Sequence, residues 1–406
     1  MSDQYDILIV GGGMVGASLA HALSGQGYTI GVIEAWPLDS TLQPSYDDRV
    51  IALSWGSRLI LESMGVWPGI EPVAQPILDI HISDRGHFGF TRLNHQQEGV
   101  EALGYVVTAR ALGSVLLNEL GHRPDVNLIC PANLKSFSVS ENSVEVKIEH
   151  EHLERQINSR LLVAADGGDS LVRRFLSIPL KEKGYGQTAI IANLSSDRAH
   201  KSVAYERFTD SGPLALLPMT DERLSMVWTA EDNQVADLMG LKDELFLERL
   251  QDRFGYRLGR LHRLGKRVAY PLRLRQAVEQ VRSRIALVGN AAHAIHPVTG
   301  QGFNLGLRDV AVLADVLVDA KHGQDPGDLS LLNEYRKWRE GDQNRVAAIT
   351  DGLARLFANP FGPLRLVRNL GLVGLDLLPG LKHQVARQFM GVNSMRQSNM
   401  GRGESL

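Results

Sequence analysis

A strand, a glycine-rich turn and a helix open the chain, and this pattern limits the fold more than any other feature. Residues 5–10 (YDILIV) form a short apolar run typical of a buried strand. Gly11, Gly13 and Gly16 follow in the spacing GxGxxG, and the residues after them have helical periodicity. A second strand over 28–34 completes a βαβ unit of about thirty residues. The sequence therefore predicts an α/β fold built on a parallel sheet.

The same turn predicts a dinucleotide site. Gly11 permits the tight turn, Gly13 lets a pyrophosphate approach the backbone, and Gly16 lets the helix pack on the strand. The N–H groups and the dipole at the helix N-terminus would hold the phosphates. Glu34 ends the second strand 18 residues after Gly16, where a carboxylate accepts hydrogen bonds from an adenosine ribose. A purely structural glycine turn is the alternative, but it does not explain why strand, helix and carboxylate occur together.

Length and composition narrow the class of protein. With 406 residues the chain is long for one domain, and its net charge of −3 offers no general attraction to nucleic acid. Cys130 is the only cysteine, which excludes an intrachain disulfide, a CxxC redox pair and a cysteine-based metal centre. The first residues do not have the pattern of a signal peptide, and no apolar run reaches the roughly 20 residues of a spanning helix. We expect a cytoplasmic, soluble protein.

The texture of the sequence changes along the chain. Residues 100–185 read as mixed α/β, whereas strand-like runs separated by turns dominate 186–274, with one helix near 242–255 among them. A separate antiparallel sheet is therefore expected, inserted into the nucleotide-binding part. The predicted divisions are a discontinuous nucleotide-binding domain (1–76, 100–185 and 275–330), a substrate sheet (77–99 and 186–274) and a C-terminal helical region (331–406).

A second strand–glycine–helix pattern appears late, in IALVGNAAHAIHPVTGQGFNLGLRD (285–309). Pro297 breaks the chain, and Gly300 and Gly302 precede a helix that is expected to start near Phe303. The N-terminus of such a helix stabilises negative charge. A reduced flavin carries negative charge around N1 and its C2 carbonyl, so this stretch favours a flavin over a nicotinamide as the bound cofactor. The alternative is a loop in which the glycines serve only the geometry of the turn and bind no cofactor.

Three ordered stretches resemble the fingerprints of group A flavoprotein monooxygenases, the para-hydroxybenzoate hydroxylase class. They are Gly11–Gly16 with Glu34, ADGGDSLVR (165–173) and GNAAHAIHPVTGQGFNLGLRD (289–309). Within the class, DDRVIALS (47–54), SDRGHFGF (83–90) and ERFTDSGPLALLPM (206–219) resemble the ubiquinone-biosynthesis hydroxylases, above all the branch that acts on octaprenyl-methoxyphenol. The likeness covers nearly the whole chain.

This resemblance implies a fold and a reaction. The fold would be a Rossmann-like FAD-binding domain with an inserted antiparallel substrate sheet and C-terminal helices. The reaction would be hydroxylation of a polyprenylated methoxyphenol in ubiquinone biosynthesis through a flavin C4a-hydroperoxide, with O₂ and with NAD(P)H as a transient reductant. Other ubiquinone-biosynthesis proteins and the inner membrane surface are further implied partners. A flavin-dependent prenyl-chain reductase and a non-catalytic prenyl-binding protein of the same fold are the rivals.

The resemblance also implies a set of cofactor residues, and none of them is a certain catalytic group. The flavin-facing loop would contain Pro297, Gly300, Gln301 and Gly302. The residues implied to bind FAD are Gly11, Gly13, Gly16, Glu34, Arg49, Arg110, Asp166, Gly289, Asn290, Pro297, Gly300, Gly302, Phe303 and Asn304. Asp166 would lie where the pyrophosphate and NAD(P)H meet, with Arg173 supporting its loop. For the two arginines, ordinary surface charge is the alternative.

Asn290 departs from the family pattern, which mostly has aspartate at this position. Asparagine keeps an acceptor oxygen of similar shape for a ribityl hydroxyl but loses the charge-assisted bond. Neutral drift is the alternative. His293 and His296 have metal-ligand spacing, but no third ligand stands near them in sequence, so no metal is expected.

Two apolar stretches leave alternatives open. The strand GPLALLPM (212–219) would line a pocket for a ring and an isoprenoid, or would simply form domain core. The terminal segment 353–391 has apolar residues at helical spacing beside arginines. It would form a packed helix pair, or it would touch a membrane surface and let a prenyl tail enter.

Overall fold

The computed structural model of the protein describes residues 4–37, 49–294, 300–320, 324–358, 369, 371 and 373–392. The strands, in chain order, are β1 (Gln4–Val10), β2 (Ile30–Ile33), β3 (Val50–Ser54), β4 (Gln75–Ile77), β5 (Asp79–Asp84), β6 (Phe90–Asn94), β7 (Gly104–Thr108), β8 (Val126–Ile129), β9 (Ala132–Val139), β10 (Val144–His150), β11 (Leu153–Ala164), β12 (Leu180–Ser196), β13 (Val203–Thr209), β14 (Gly212–Pro218), β15 (Arg223–Glu231), β16 (Leu261–His262), β17 (Val268–Ala277), β18 (Val281–Arg282), β19 (Ile285–Leu287) and β20 (His293–Ala294). The helices are α1 (Met14–Leu23), α2 (Trp55–Ser63), α3 (Trp67–Ile70), α4 (His95–Glu98), α5 (Ala109–Leu120), α6 (Leu171–Phe175), α7 (Asp232–Gly240), α8 (Asp243–Phe254), α9 (Gln301–Asp319), α10 (Leu329–Ala358) and α11 (Pro379–Phe389).

The first sheet contains the predicted βαβ unit. Its order is β18-β19-β11-β1-β2-β8, with β9 and β10 attached through β11, and β1 is parallel to both β2 and β11. Ile7 and Ile9 face a core that includes α1 and α9, whereas Leu8 faces a second core on the other side of the sheet. Because side chains alternate along a strand, a continuous apolar run buries both faces of a sheet at once.

The second sheet is antiparallel apart from one parallel pair, β13 with β5. Its order is β20-β17-β12-β15-β14-β13-β5-β6, with β16 beside β12. The mixed α/β architecture with an additional antiparallel sheet, expected from the sequence, is confirmed. In this sheet β12 starts before residue 186 and β17 continues past 274, so strands run through the predicted domain boundaries. The division into domains at those residues stays a prediction.

Helices cover one face of this second sheet. The expected helix is α8, whose Phe246 and Leu250 are fully buried and whose neighbours include Trp228. The helix α7 was not expected, because its sequence DNQVADLMG is short and lacks a clear apolar stripe. In the structure Leu238 is the one buried residue of this helix. It forms because Leu238 finds the same core. Tertiary packing therefore decided this helix.

A small sheet of order β3-β7-β4 lies between the two larger sheets. Val50 of β3 and Ile77 of β4 pack with Ala204 and Met219 of the antiparallel sheet, while β3 also contacts α9. This small sheet therefore joins the parallel part of the molecule to the antiparallel part.

The last described helices pack back on the body of the protein. α10 lies against α9 and reaches β13 and β14, and α11 lies against α4. None of the described helices combines the length and the low polarity that a membrane-spanning helix requires.

Candidate functional site

The first glycine turn is closed tightly by backbone contacts. Gly11 has φ +101°, and a Cβ added there would lie 2.6 Å from the carbonyl oxygen of Ala165. A Cβ on Gly16 would lie 1.9 Å from the carbonyl oxygen of Gly11. No side chain fits at either position, because the obstructing atoms are backbone. The turn thus touches the loop after β11, where Asp166 follows.

Glu34 lies directly against this turn. Its carboxylate accepts hydrogen bonds from the backbone N–H of Gly12 at 2.7 Å and of Trp36 at 2.8 Å. The residue is buried, and burial raises the pKa of its carboxyl although these hydrogen bonds act in the opposite direction. The carboxylate is therefore fixed at the end of β2, beside the glycines.

The loop 165–173 ties the first motif to the second. The Asp166 carboxylate accepts hydrogen bonds from the backbone N–H groups that begin α6, and burial raises the pKa of its carboxyl. Arg173 is buried and donates to the carbonyl oxygens of Gly168 at 2.7 Å and Ala291 at 2.9 Å. Arg173 thus holds the 165–173 loop against the turn after β19.

The two glycine motifs interlock through one side chain. Val15 of α1 sits in a notch formed by Gly289 and Gly306: a Cβ on either glycine would lie 3.0–3.1 Å from the Val15 methyl groups. Gly289 also has φ +57°, which glycine adopts most easily. The small residues of the late motif therefore let α9 approach α1 closely.

The start of α9 is open on one side and anchored on the other. Gly300 caps the helix with φ +64°, and a Cβ on Gly302 would meet no atom of the described residues within 4 Å. The Asn304 amide donates to the carbonyl oxygens of Ala52 and Gly300, each at 2.9 Å. Its oxygen accepts from the Ser54 N–H at 2.9 Å. The first turn of α9 is thus held on β3, with an open surface at Gly302.

Three other predicted residues lie among the described residues, and a fourth lies outside them. Gln301 is buried and donates to the Phe389 carbonyl oxygen at 3.3 Å, and Phe303 packs on the main core. Asn290 is exposed, and no hydrogen bond from the described residues reaches its side chain. Pro297 lies outside the described residues.

The small sheet brings the backbone positions of the two predicted arginines together in space. The backbone N–H of Ala109 donates to the Arg49 carbonyl oxygen at 2.8 Å, and Arg110 is the next residue. The Arg49 guanidinium lies 4.8 Å from the centre of the Tyr270 ring, and Arg110 is exposed. Their neighbourhood could not be read from the sequence, because 61 residues separate them.

Sequence reasoning missed the group that supports the late motif. Asp309 is completely buried; its carboxylate accepts from Gly289 N–H at 2.9 Å, Arg339 Nε at 2.7 Å and Gln343 Nε2 at 2.9 Å, and lies 2.6 Å from His293 Nε2. Burial opposes its ionisation, but His293 and Arg339 prevail and hold the pKa of this carboxyl below its usual range. The available signal was an aspartate directly before an apolar run of the helix, VAVLA (310–314). His293 is thus engaged by a carboxylate.

The antiparallel sheet has two faces with different neighbours. On β14, Leu214 and Leu216 pack with Trp228 under α7 and α8, whereas Leu217 packs with Val50 of the small sheet. We call the face that carries Ala204, Leu217 and Met219 the inner face. The strand GPLALLPM is therefore core on one side, while its alternate residues face the parallel part of the molecule.

Comparison with known proteins shows the family of this chain. Residues 4–350 match the family model described as an FAD binding domain. The chain is 40% identical to ubiquinone hydroxylase UbiL of Rhodospirillum rubrum, over 95% of this chain and 89% of that protein. It is 31% identical to 3-demethoxyubiquinol 3-hydroxylase of Escherichia coli, over 95% of this chain and 98% of that protein.

Solved structures share the fold at lower identity. The p-nitrophenol 4-monooxygenase PnpA of Pseudomonas putida superposes with a TM-score of 0.79 at 17% identity, covering 99% of each chain. The anhydrotetracycline hydroxylase OxyS of Streptomyces rimosus gives 0.74 at 20% identity, covering 96% of this chain and 76% of that one. The glycine turn, the family match and the hydroxylase relatives together lead to one conclusion: the chain belongs to the family of FAD-dependent aromatic monooxygenases that includes the ubiquinone hydroxylases.

Proposed function

We propose that this enzyme hydroxylates the ring of a polyprenylated methoxyphenol in ubiquinone biosynthesis. The observation that carries the proposal is the 40% identity to a ubiquinone hydroxylase over 95% of the chain. Bound FAD would supply the chemistry: reduction by NAD(P)H, reaction with O₂ and delivery of one oxygen atom from a C4a-hydroperoxide to the ring. The protein's part is to bind and orient both molecules and to keep water out.

The residues around the glycine turn fit the proposed binding of FAD. Gly11, Gly13 and Gly16 would hold the pyrophosphate at the start of α1, and Glu34 the adenosine ribose, where it is already fixed beside the turn. Asp166 would stay close by, since its loop is in contact with Gly11.

A second set of residues would hold the flavin end. The open surface at Gly302 leaves room for the isoalloxazine ring beside the N-terminus of α9, which favours negative charge there. Asn290 is exposed and would bind a ribityl hydroxyl, while Arg49 and Arg110 would flank the cofactor. The Asn304 side chain is engaged by the protein, so its contribution would be to position the helix start.

The inner face supports a substrate with an apolar tail. Ala215, Leu217 and Met219 alternate along this strand toward the small sheet, and Leu217 and Met219 already share an apolar cluster with Val50. A buried methylene contributes roughly 0.8 kcal/mol, so one isoprene unit would outweigh a single neutral hydrogen bond. Such a surface suits a ring with an isoprenoid better than a charged benzoate.

The test is a series of methoxyphenols with zero, one, two and three isoprene units, assayed in detergent for product and for NAD(P)H oxidation. The amount of hydroxylated product per NAD(P)H oxidised should rise with the number of isoprene units. With ¹⁸O₂, one labelled atom should appear on the ring. Reduction of chain double bonds without label would instead identify a prenyl-chain reductase. A preference for untailed hydroxybenzoate would contradict the proposed substrate.

The same substrate would favour contact with a membrane surface. Leu377, Leu378 and Leu381 are 72%, 56% and 47% exposed at the start of α11, and Lys382 and Arg387 follow them. Exposed leucines beside basic residues suit the interface of an anionic bilayer. Replacing the three leucines by serine should reduce co-sedimentation with anionic vesicles, and unchanged sedimentation would contradict this contact.

A further inference from the structure

One carboxylate on the inner face has no role in the FAD site. Glu206 lies on β13 between Ala204, which packs in the inner-face cluster, and Phe208. Its neighbours in sequence point the other way: the Tyr205 ring lies 5.6 Å from the Phe254 ring, and Arg207 donates to the Phe254 carbonyl oxygen at 2.6 Å. Because side chains alternate along a strand, Glu206 projects from the inner face.

The surroundings of Glu206 are apolar. Its partners across the sheet are Ala215 on β14 and Ile82 on β5. It is half-buried, so part of its side chain faces open space, and no hydrogen bond or ion pair with any described residue engages its carboxylate. A carboxylate without a partner in apolar surroundings costs stability, so chains place one there chiefly at functional sites.

Three other ionisable groups among the described residues near the inner face are engaged elsewhere. Asp84 of β5 accepts from the Asn369 amide at 2.9 Å, and the Tyr270 ring carries the Arg49 guanidinium. On α10, which packs against β13 and β14, Asp351 is paired with Lys183. Burial alone raises the pKa of the Glu206 carboxyl from 4.5 to about 7.

The small sheet links the strand that carries Glu206 to the proposed flavin end. Ala204, one strand repeat before it, belongs to the same cluster as Val50 of β3, and Ala52 of β3 lies against Gly300 at the start of α9. β3 therefore connects the inner face with the open turn of α9.

We propose that Glu206 is the acid–base residue for the ring hydroxyl of the substrate, an inference that depends on the proposed phenol hydroxylation. The carboxylate accepts the hydroxyl proton while the O–H bond breaks, and the phenolate pushes electron density to the ring carbon that receives oxygen. That carbon releases its proton to water when the ring becomes aromatic again, and Glu206 returns the proton that it accepted to the original ring oxygen of the product. NAD(P)H supplies two electrons, one atom of O₂ enters the product, and the other leaves as water.

The first test compares Glu206→Gln, Glu206→Asp and the wild type on the prenylated phenol. Glutamine keeps the shape and can accept a hydrogen bond but cannot take a proton. We expect kcat/KM at neutral pH to fall on the order of 100-fold or more, with KM little changed and the pH-dependent limb near 7 lost. Glu206→Asp should restore that limb in part. Glu231→Gln, an exposed carboxylate on β15 of the same sheet, should behave as the wild type.

Thermal stability gives a readout that needs no substrate. The folded pKa of Glu206 lies above the unfolded value, so as pH rises from 4.5 to 7 the unfolded chain ionises first and the wild type loses stability. The Tm of Glu206→Gln minus that of the wild type should therefore grow over this window and level off above it. A constant difference would mean that the carboxyl ionises normally in the folded protein, which overturns the proposal.

The outcomes separate this inference from the proposed function. Loss of the pH limb in Glu206→Gln together with its return in Glu206→Asp supports the acid–base role. A wild-type pH profile and kcat/KM in Glu206→Gln would overturn that role and leave phenol hydroxylation intact. Absence of hydroxylation by the wild type, with every phenol in the series, would overturn both.

Discussion

The two strand–glycine–helix motifs are built on different principles. The early motif, β1–α1–β2, is held by backbone contacts: Gly16 packs against the Gly11 carbonyl, and Glu34 bonds the Gly12 N–H. The late motif, β19–α9, is held by side chains of α10. Asp309 of α9 accepts hydrogen bonds from the Gly289 N–H within the motif and from Arg339 and Gln343 of α10.

The two motifs, which together form the proposed cofactor site, are therefore rigid for different reasons. In the early motif there is no room for a Cβ at Gly11 or Gly16, so a side chain added at either position would distort the turn. The late motif depends on the balance of charge in the buried network around Asp309. A substitution in this network on α10 should therefore destabilise the late motif, although α10 lies outside it. The following predictions separate these effects.

The largest expected effect comes from Asp309→Ala. Without Asp309, the buried Arg339 loses a partner at 2.7 Å, and the Gly289 N–H and Gln343 amide lose theirs. Breaking a buried pair from one side costs about 3–5 kcal/mol, so the free energy of unfolding should fall by about that amount in urea titrations of the FAD-free protein. Glu340→Ala, an exposed neighbour on α10, should change it by less than about 0.5 kcal/mol. Equal effects of the two variants would contradict the network's role.

A pair of glycine substitutions tests the role of space. Gly16→Ala should destabilise the FAD-free protein by about 1–3 kcal/mol, because its Cβ would stand 1.9 Å from a carbonyl oxygen. Gly302→Ala should leave that stability within about 0.5 kcal/mol, because no described residue has an atom within 4 Å of the added Cβ. The same change should weaken FAD binding, because the added methyl group would face the proposed flavin site. Denaturation and flavin titration of both proteins measure this. Unchanged FAD affinity in Gly302→Ala would show that the open turn does not face the cofactor.

The smallest expected effect on the stability of the FAD-free protein is at Asn290. Because the side chain is exposed, Asn290→Leu should not change the stability of the FAD-free protein, but it should cost about 1–3 kcal/mol of FAD binding by leaving a ribityl hydroxyl unpaired. Asn290→Asp should retain or tighten binding through a charge-assisted bond. Identical FAD dissociation constants for wild type, leucine and aspartate would refute the contact.

Short-range sequence patterns predicted much of the architecture. The apolar run of β1, the GxGxxG spacing and the helical periodicity of α1 act within about thirty residues, so sequence alone predicted them. The late helix was predicted near Phe303 and begins at Gln301, an ordinary shift for a helix end. In contrast, α7 was missed, because its weak pattern becomes helical only where Leu238 meets the core.

The sequence by itself determined the glycine turn, the carboxylate at Glu34 and the two motifs, because these depend on backbone sterics and short-range periodicity. Only the tertiary structure decided that Val15 packs between Gly289 and Gly306 and that Arg339 pairs with Asp309. It also decided that Glu206 faces the inner side with no partner among the described residues. Each of these depends on residues far apart in the chain and on which face of a strand or helix is turned inward. A one-residue change of register would reverse that choice, and composition and motif spacing carry no information about it.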